Sequence, residues 1–304
     1  MLKRRSHLAL WLTMSLVIVL LPPLVWGQWT EAADWAADIS NRYRIVPNIT
    51  YLTANNYEAK LDLYLPRNLT EPSPTLVYIH GGGWVQGSKE VSTLRLLPYL
   101  EMGWSVINVE YRLAHTSLAP AAVEDCLCAL RWIIRNAEEY NLDPNRIVVS
   151  GNSAGGHLSL TTGMLPASAG LDRQCPGDEE LKVAAIVNWF GITDVGDLLE
   201  GPNIRRWAVA WMGSMDDRQE IARRVSPLNY VRPGLPPILT IHGDADPLVP
   251  YSHAVQLHKA LTQAGVPNQL LTIPGGKHGG FTRTETLKAY TTILEFLEKY
   301  SDPS

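Results

Sequence analysis

The chain has 304 residues, 46% of them hydrophobic and 18% charged, which is enough apolar material for one domain with a buried core. Its formal net charge of −4 excludes the electrostatic footprint of a nucleic-acid-binding protein. No internal repeat, heptad or low-complexity tract interrupts it.

The first stretch, MLKRRSHLALWLTMSLVIVLLPPLVWG, has a basic start (Lys3, Arg4, Arg5), an apolar run from Leu8 to Leu21, and the compact residues Val25 and Gly27 before Gln28. That layout predicts a secretory signal peptide over residues 1–27. An uncleaved membrane anchor competes with it, because the run overlaps the short end of what spans a bilayer. Pro22 and Pro23 followed by a small residue favour removal after Gly27. Residues 28–304 would then form a single secreted or periplasmic domain without stable membrane association, and the loss of three cations would take the formal charge to −7.

RIVPNITYLTANNYEAKLDLYLP predicts two antiparallel strands joined at Asn55 and Asn56, on one edge of a sheet. Short β-branched runs follow: TLVYIH (75–80), SVINVEY (105–111), RIVVS (146–150), VAAIVNW (183–189), PILTIHG (237–243) and QLLTI (269–273). They read as buried strands. Between them, helical stretches fall at Lys89 to Met102, Pro120 to Tyr140, Gly155 to Leu165, Ser252 to Ala264 and Thr284 to Tyr300. The alternation predicts an α/β fold, a mostly parallel central sheet with helices on both faces. Residues 191–236 break the rhythm and hold Trp207, Trp211, Met212 and Met215, which suggests a small cap or lid; a peripheral helix packed on the core is the plainer alternative.

The cysteines are Cys126, Cys128 and Cys175, an odd number that allows at most one intramolecular disulfide. In the helix from Pro120, Cys126 falls on the apolar stripe, while Cys128 shares a polar stripe with Glu124, Arg131 and Arg135. Cys128 is therefore the better partner for Cys175, and Cys126 the buried thiol.

Chemistry enters directly after RIVVS, where Gly151-Asn152-Ser153-Ala154-Gly155 joins a strand to a helix. Gly-x-Ser-x-Gly in that context is a nucleophile elbow: small flanking residues tolerate a strained serine, and the helix aims its dipole at developing negative charge. Such a serine needs a base, an acid and oxyanion donors. HGGGW (80–84) reads as a Gly-rich turn, a phosphate loop or an oxyanion loop; no Gly-Lys-Ser/Thr follows it, and the serine elbow favours the oxyanion reading. For the base, His278 lies in the glycine-flanked loop PGGKHGGF, whereas His80, His115, His157, His242, His253 and His258 fit structural roles. The acid belongs on HGDADPLVP, which offers Asp244 and Asp246. A metal pair fails there for want of further ligands, and a solvated turn stays open.

HGGGW, GNSAGGH, HGDADPLVP and GGKHGGF, with YRLAHTSLAPAAVEDC after the first, resemble the secreted α/β-hydrolase esterases related to hormone-sensitive lipase, and most closely the bimodular feruloyl and acetyl-xylan esterase branch. The likeness spans Ile45 to Tyr300. It implies the α/β-hydrolase fold, with Ser153 as nucleophile, His278 as general base and then acid, Asp246 as the orienting carboxylate, and the N–H groups of Gly82, Gly83 and Ala154 as the oxyanion hole. It implies no metal or organic cofactor, and a small-molecule or polysaccharide-linked ester as substrate. Relatives of hormone-sensitive lipase usually carry Asp in the elbow and Pro-Glu after YRLA; Asn152 and His115 stand here instead, which leaves acyl preference open. An amide-cleaving relative, such as an arylformamidase or peptidase, would share the machinery. A non-enzymatic binding protein on the same scaffold would be expected to lack a triad member, and none is lacking. Trp84, Trp189, Trp207 and Trp211 are candidates for an acyl or aryl pocket, with core packing as the alternative.

Overall fold

The computed structural model describes residues 23–214 and 216–300. The expected signal peptide therefore lies outside the described residues up to position 22, as does Met215. The described chain opens with a helix, α1 (Pro23–Arg42), which runs through the expected cleavage point and forms a unit of its own.

The second unit is built on one eight-stranded sheet in the order β1-β2-β4-β3-β5-β6-β7-β8. Strands β1 (Tyr43–Ala54) and β2 (Tyr57–Pro66) form the edge hairpin, and Asn55 and Asn56 both take the positive φ that a tight two-residue turn requires. β2 also pairs antiparallel with β4 (Ser105–Val109). From there β3 (Ser73–Ile79), β5 (Leu142–Asn152), β6 (Ala185–Trp189), β7 (Ile238–Gly243) and β8 (Asn268–Ile273) run parallel. Their carboxyl ends consequently open onto one rim.

The connecting helices are α2 (Thr93–Glu101), α3 (Ala121–Arg135), α4 (Ala154–Met164), α7 (Ser252–Gln263) and α8 (Arg283–Tyr300). Val77 and Ile79 of β3 join the main core cluster with α3, while Trp189 of β6 meets Tyr290 of α8 edge-on. Alternate residues of the strands thus fill the two faces. The α3 helix stops at Arg135, five residues short of the expected Tyr140, because the Asn136 amide caps the Trp132 carbonyl (2.6 Å) and Asn141 turns the chain with a positive φ.

Residues 191–236 fold as short 3-10 turns with α5 (Arg206–Met212) and α6 (Arg218–Val225). Ala208, Trp211, Met212, Ala222 and Val225 enter the same core cluster as α3. His253 of α7 ties the segment down, accepting from the Thr193 N–H (3.1 Å) and donating to Asp197 (3.0 Å).

Cys128 and Cys175 form a disulfide with Cα atoms 5.6 Å apart, and Cys126 is a buried free thiol. Two residues of the polar stripe are nevertheless covered, Cys128 at 1% and Arg131 at 2% exposed, while Arg135 stays exposed. The tethered segment folds over the covered two, and Arg131 pairs there with Asp172 (2.5 Å) and Glu179 (2.9 Å). For a sequence separation of 47, the entropic model assigns such a link about 4 kcal/mol of stabilisation. Ellman titration in denaturant should count one thiol per chain before reduction and three after it; three before reduction would contradict the pairing.

Candidate active site

The turn between β5 and α4 holds Ser153 at φ 57° and ψ −120°, a region that non-glycine residues rarely occupy. Conformations of this kind cost about 1–3 kcal/mol and persist only where the surroundings enforce them. Here the Ser153 N–H is held by the Trp189 carbonyl of β6 (2.9 Å). From below, a Cβ on Gly151 or Gly155 would overlap the Ile79 carbonyl oxygen of β3, so both positions need glycine. α4 begins at Ala154, and its first N–H groups face the rim without an intrahelical acceptor.

The loop after β3 passes beside this turn. Gly82 (φ 124°), Gly83 (φ 60°) and Trp84 (φ 60°) adopt left-handed conformations that bend the backbone sharply. Among the described residues no backbone carbonyl accepts from the N–H of Gly82, Gly83 or Ala154. The loop is rooted by Trp84, whose buried indole stacks on Trp211 (centroids 4.0 Å apart) and donates to His157 Nδ1 (3.2 Å). His157 in turn donates from Nε2 to the Val225 carbonyl (2.7 Å), which fixes the neutral tautomer. Burial pushes this imidazole from 6.5 down to about 4, against the upward pull of the Val225 bond.

At the far side of the rim, His278 Nδ1 lies 2.7 Å from Asp246 Oδ2. Phe190 packs edge-on against the His278 ring (4.7 Å), and only 15% of the His278 side chain is exposed. The Asp246 side chain is fully enclosed; Oδ1 accepts from the N–H groups of Leu248 (2.8 Å) and Val249 (3.0 Å). Burial alone would raise its pKa, but the bonds from His242, His278 and the Leu248 amide hold the carboxyl well below the usual range. Asp244, in contrast, is exposed and accepts from the Gly275 N–H (2.6 Å). Of the two acids in HGDADPLVP, the structure brings Asp246 to the histidine and leaves Asp244 as a loop tie.

The expected site residues thus gather on one rim: Ser153, Gly82, Gly83 and Ala154 at β3 and β5, Asp246 and His278 at β7 and β8. The tryptophans divide differently from the pocket expectation. Trp84 and Trp211 are 0% exposed and Trp189 is 5% exposed, so these three are core residues, placed inside by their mutual stacking and the Tyr290 contact. Only Trp207 is partly open, against Gly83. Two residues that sequence reasoning assigned to structure alone, His157 and His242, turn out to touch the supports of the site. Phe190 was not singled out at all, and the clue it offers is its place directly after a buried strand. A recess of about 330 Å³ beside the elbow is lined by Gly81, Gly82, Gln86, Ser92, Arg95 and Asn152. A larger one of about 670 Å³ opens near Val183 and Pro237, at the opposite strand ends from Ser153.

The BD-FAE family pattern matches residues 61–261, from β2 through α7. The chain belongs to the BD-FAE family. Among curated proteins it is similar to Esterase LipC of Mycobacterium tuberculosis, with 31% identity over 72% of this chain and 56% of that protein. It is also similar to an ethyl acetate hydrolase of Pseudomonas putida, with 29% identity over 90% of this chain and 88% of that protein. The chain spans about half the length of the mycobacterial esterases LipC, LipM and LipQ that it matches. Among solved structures, a truncated carbohydrate esterase from gut microbiota superposes with a TM-score of 0.73 at 28% identity, covering 86% of this chain and 97% of that one. The sheet described above is that of the α/β-hydrolase fold.

His157 carries a pH signature. The unfolded chain binds a proton there near pH 6.5 and the folded protein only near 4, so stability present above pH 6.5 is lost as pH falls towards 4. The loss amounts to roughly 3 kcal/mol. In urea unfolding, a His157→Gln variant should show a correspondingly shallower decline over that interval than the wild type; parallel slopes would contradict it.

Proposed function

We propose that this chain is a serine carboxylic ester hydrolase acting through an acyl-enzyme. The observation that carries the reading is the His278–Asp246 contact on the same rim as a strained serine with free backbone donors. With Nδ1–H given to Asp246, His278 keeps its Nε2 lone pair free to take the Ser153 proton as the hydroxyl attacks the ester carbonyl. The oxyanion then meets the N–H groups of Gly82, Gly83 and Ala154, each such donor being worth about 3 kcal/mol. The proton returns from His278 to the leaving alcohol, and water deacylates Ser153 with the same base.

The substrate class proposed is a short-chain acyl or aryl ester, including acetyl or feruloyl groups carried on plant polysaccharides. The names of the ethyl acetate hydrolase and the carbohydrate esterase support it, as does the small, polar-lined recess beside Gly82 and Asn152. A secreted or periplasmic location is proposed on the leader pattern of residues 1–27 and the Cys128–Cys175 disulfide, a bond that persists in oxidising compartments.

Ser153→Ala should abolish turnover of p-nitrophenyl acetate with an unchanged circular dichroism spectrum; retained turnover in a pure sample would overturn the assignment. Asp246→Asn should cost about 10,000-fold in kcat, by analogy with other orienting aspartates, while Asp244→Asn stays within about twofold. Among p-nitrophenyl esters, kcat/KM should fall steadily from acetyl through butyryl to octanoyl, and a maximum at octanoyl would exclude the short-chain reading.

A further inference from the structure

His242 stands next to the end of β7, four residues before Asp246, and its ring is wholly buried. Its Nε2 lies 3.2 Å from the Val249 carbonyl oxygen and 3.2 Å from Asp246 Oδ2. A carbonyl only accepts, so Nε2 carries the proton. The Val249 N–H meanwhile donates to Asp246 Oδ1 (3.0 Å). Strand end, loop and carboxylate are therefore closed into one circuit, with Tyr251 packed edge-on against the ring at 5.7 Å.

The other ring nitrogen, Nδ1, is buried and has no hydrogen-bond partner among the described residues. An unmatched buried acceptor opposes folding, and an apolar side chain of similar bulk would avoid it. The ring therefore owes its place to what its Nε2–H does at Val249 and Asp246. We infer that His242 is a positioning residue for Asp246, which rests on the esterase reading above: its Nε2–H pins the Asp246 loop at Val249 and sets a second N–H edge at the oxygen that meets His278. Oδ2 is that oxygen, and with two amides on Oδ1 the carboxylate has one orientation left. The constraint matters when His278 holds the serine proton, because Asp246 must then stay ionised and in line with Nδ1.

The two amide replacements separate this role from a merely structural one. A glutamine places its N–H where Nε2 stands, whereas the shorter asparagine reaches only the Nδ1 position. With p-nitrophenyl acetate, His242→Asn should lower kcat by about 10- to 100-fold with KM within about twofold, and His242→Gln should keep kcat within about threefold. In an Asp246→Asn background, adding His242→Asn should change the residual kcat by less than about twofold, since its action is already gone. Wild-type kcat in His242→Asn, equal losses in both amides, or the full fractional loss in the Asp246→Asn background would each overturn the inference. Circular dichroism checks every variant, and His242→Met, with the same expectation as asparagine, replaces it should that variant not fold. Absence of hydrolysis by the wild type itself, or its survival in Ser153→Ala, would instead count against the esterase reading.

Discussion

The site depends on a place where three backbones meet with no room for side chains. β3 and β5 pair in parallel with Ile79 beside Gly151, and the first turn of α4 returns over both. At Gly151 and Gly155 a methyl group would collide with carbonyl oxygen, so the elbow can close only on glycine. This closeness forces Ser153 into its strained conformation and, through the Trp189 carbonyl, fixes it from the β6 side as well. The same pairing makes β3 and β5 end together, and so delivers the glycine loop after β3 to the flank of the serine. Strand order thus brings Ser153 and the backbone N–H groups of the glycine loop together before any specific side chain is considered.

A close-packed aromatic peg then holds what glycine leaves loose. Gly82 and Gly83 supply the bend but nothing to anchor it. Trp84 supplies the anchor, stacked on Trp211 and bonded to His157. Because Trp211 comes from the segment 191–236 and His157 from α4, the loop is held by that segment and by the helix that follows the serine. His157 must stay neutral to accept from the indole while donating to Val225, and its burial enforces that state. The long segment is accordingly part of the wall that supports the glycine loop, with Ala208, Trp211, Met212, Ala222 and Val225 in the core shared with α3.

The parallel sheet was legible in the sequence because buried strands read as continuous β-branched runs, and each of those six runs became a strand. The elbow, the glycine loop and the His278 loop were equally legible, since each needs residue types that few other structures require. Tryptophans carry no such signature: an aromatic ring that packs a core and one that lines a cleft are spelled alike, so Trp84, Trp189 and Trp211 were candidates for either place and lie in the core. The polar stripe on α3 pointed to the right disulfide partner, Cys128, without showing that Cys128 and Arg131 would be covered. Periodicity reports which residues share a face, not what later segment covers that face, and here a disulfide-tethered loop matches Arg131 with acids of its own.

Asp244 and Asp246 show how one short loop can give two identical residues opposite physics. Both reach from the loop after β7 to the loop after β8: Asp244 to the Gly275 amide, Asp246 to the His278 imidazole. The first tie is exposed, where a carboxylate is solvated whatever it bonds and contributes mainly to loop register. The second is enclosed, where a carboxylate without donors would take up a proton and lose the charge that holds the imidazole. Two amides and two histidine edges supply those donors, so the charge survives inside the protein. Alternation along the turn, exposed at 244 and enclosed at 246, therefore decides which acid can orient a base and which can only fasten a loop.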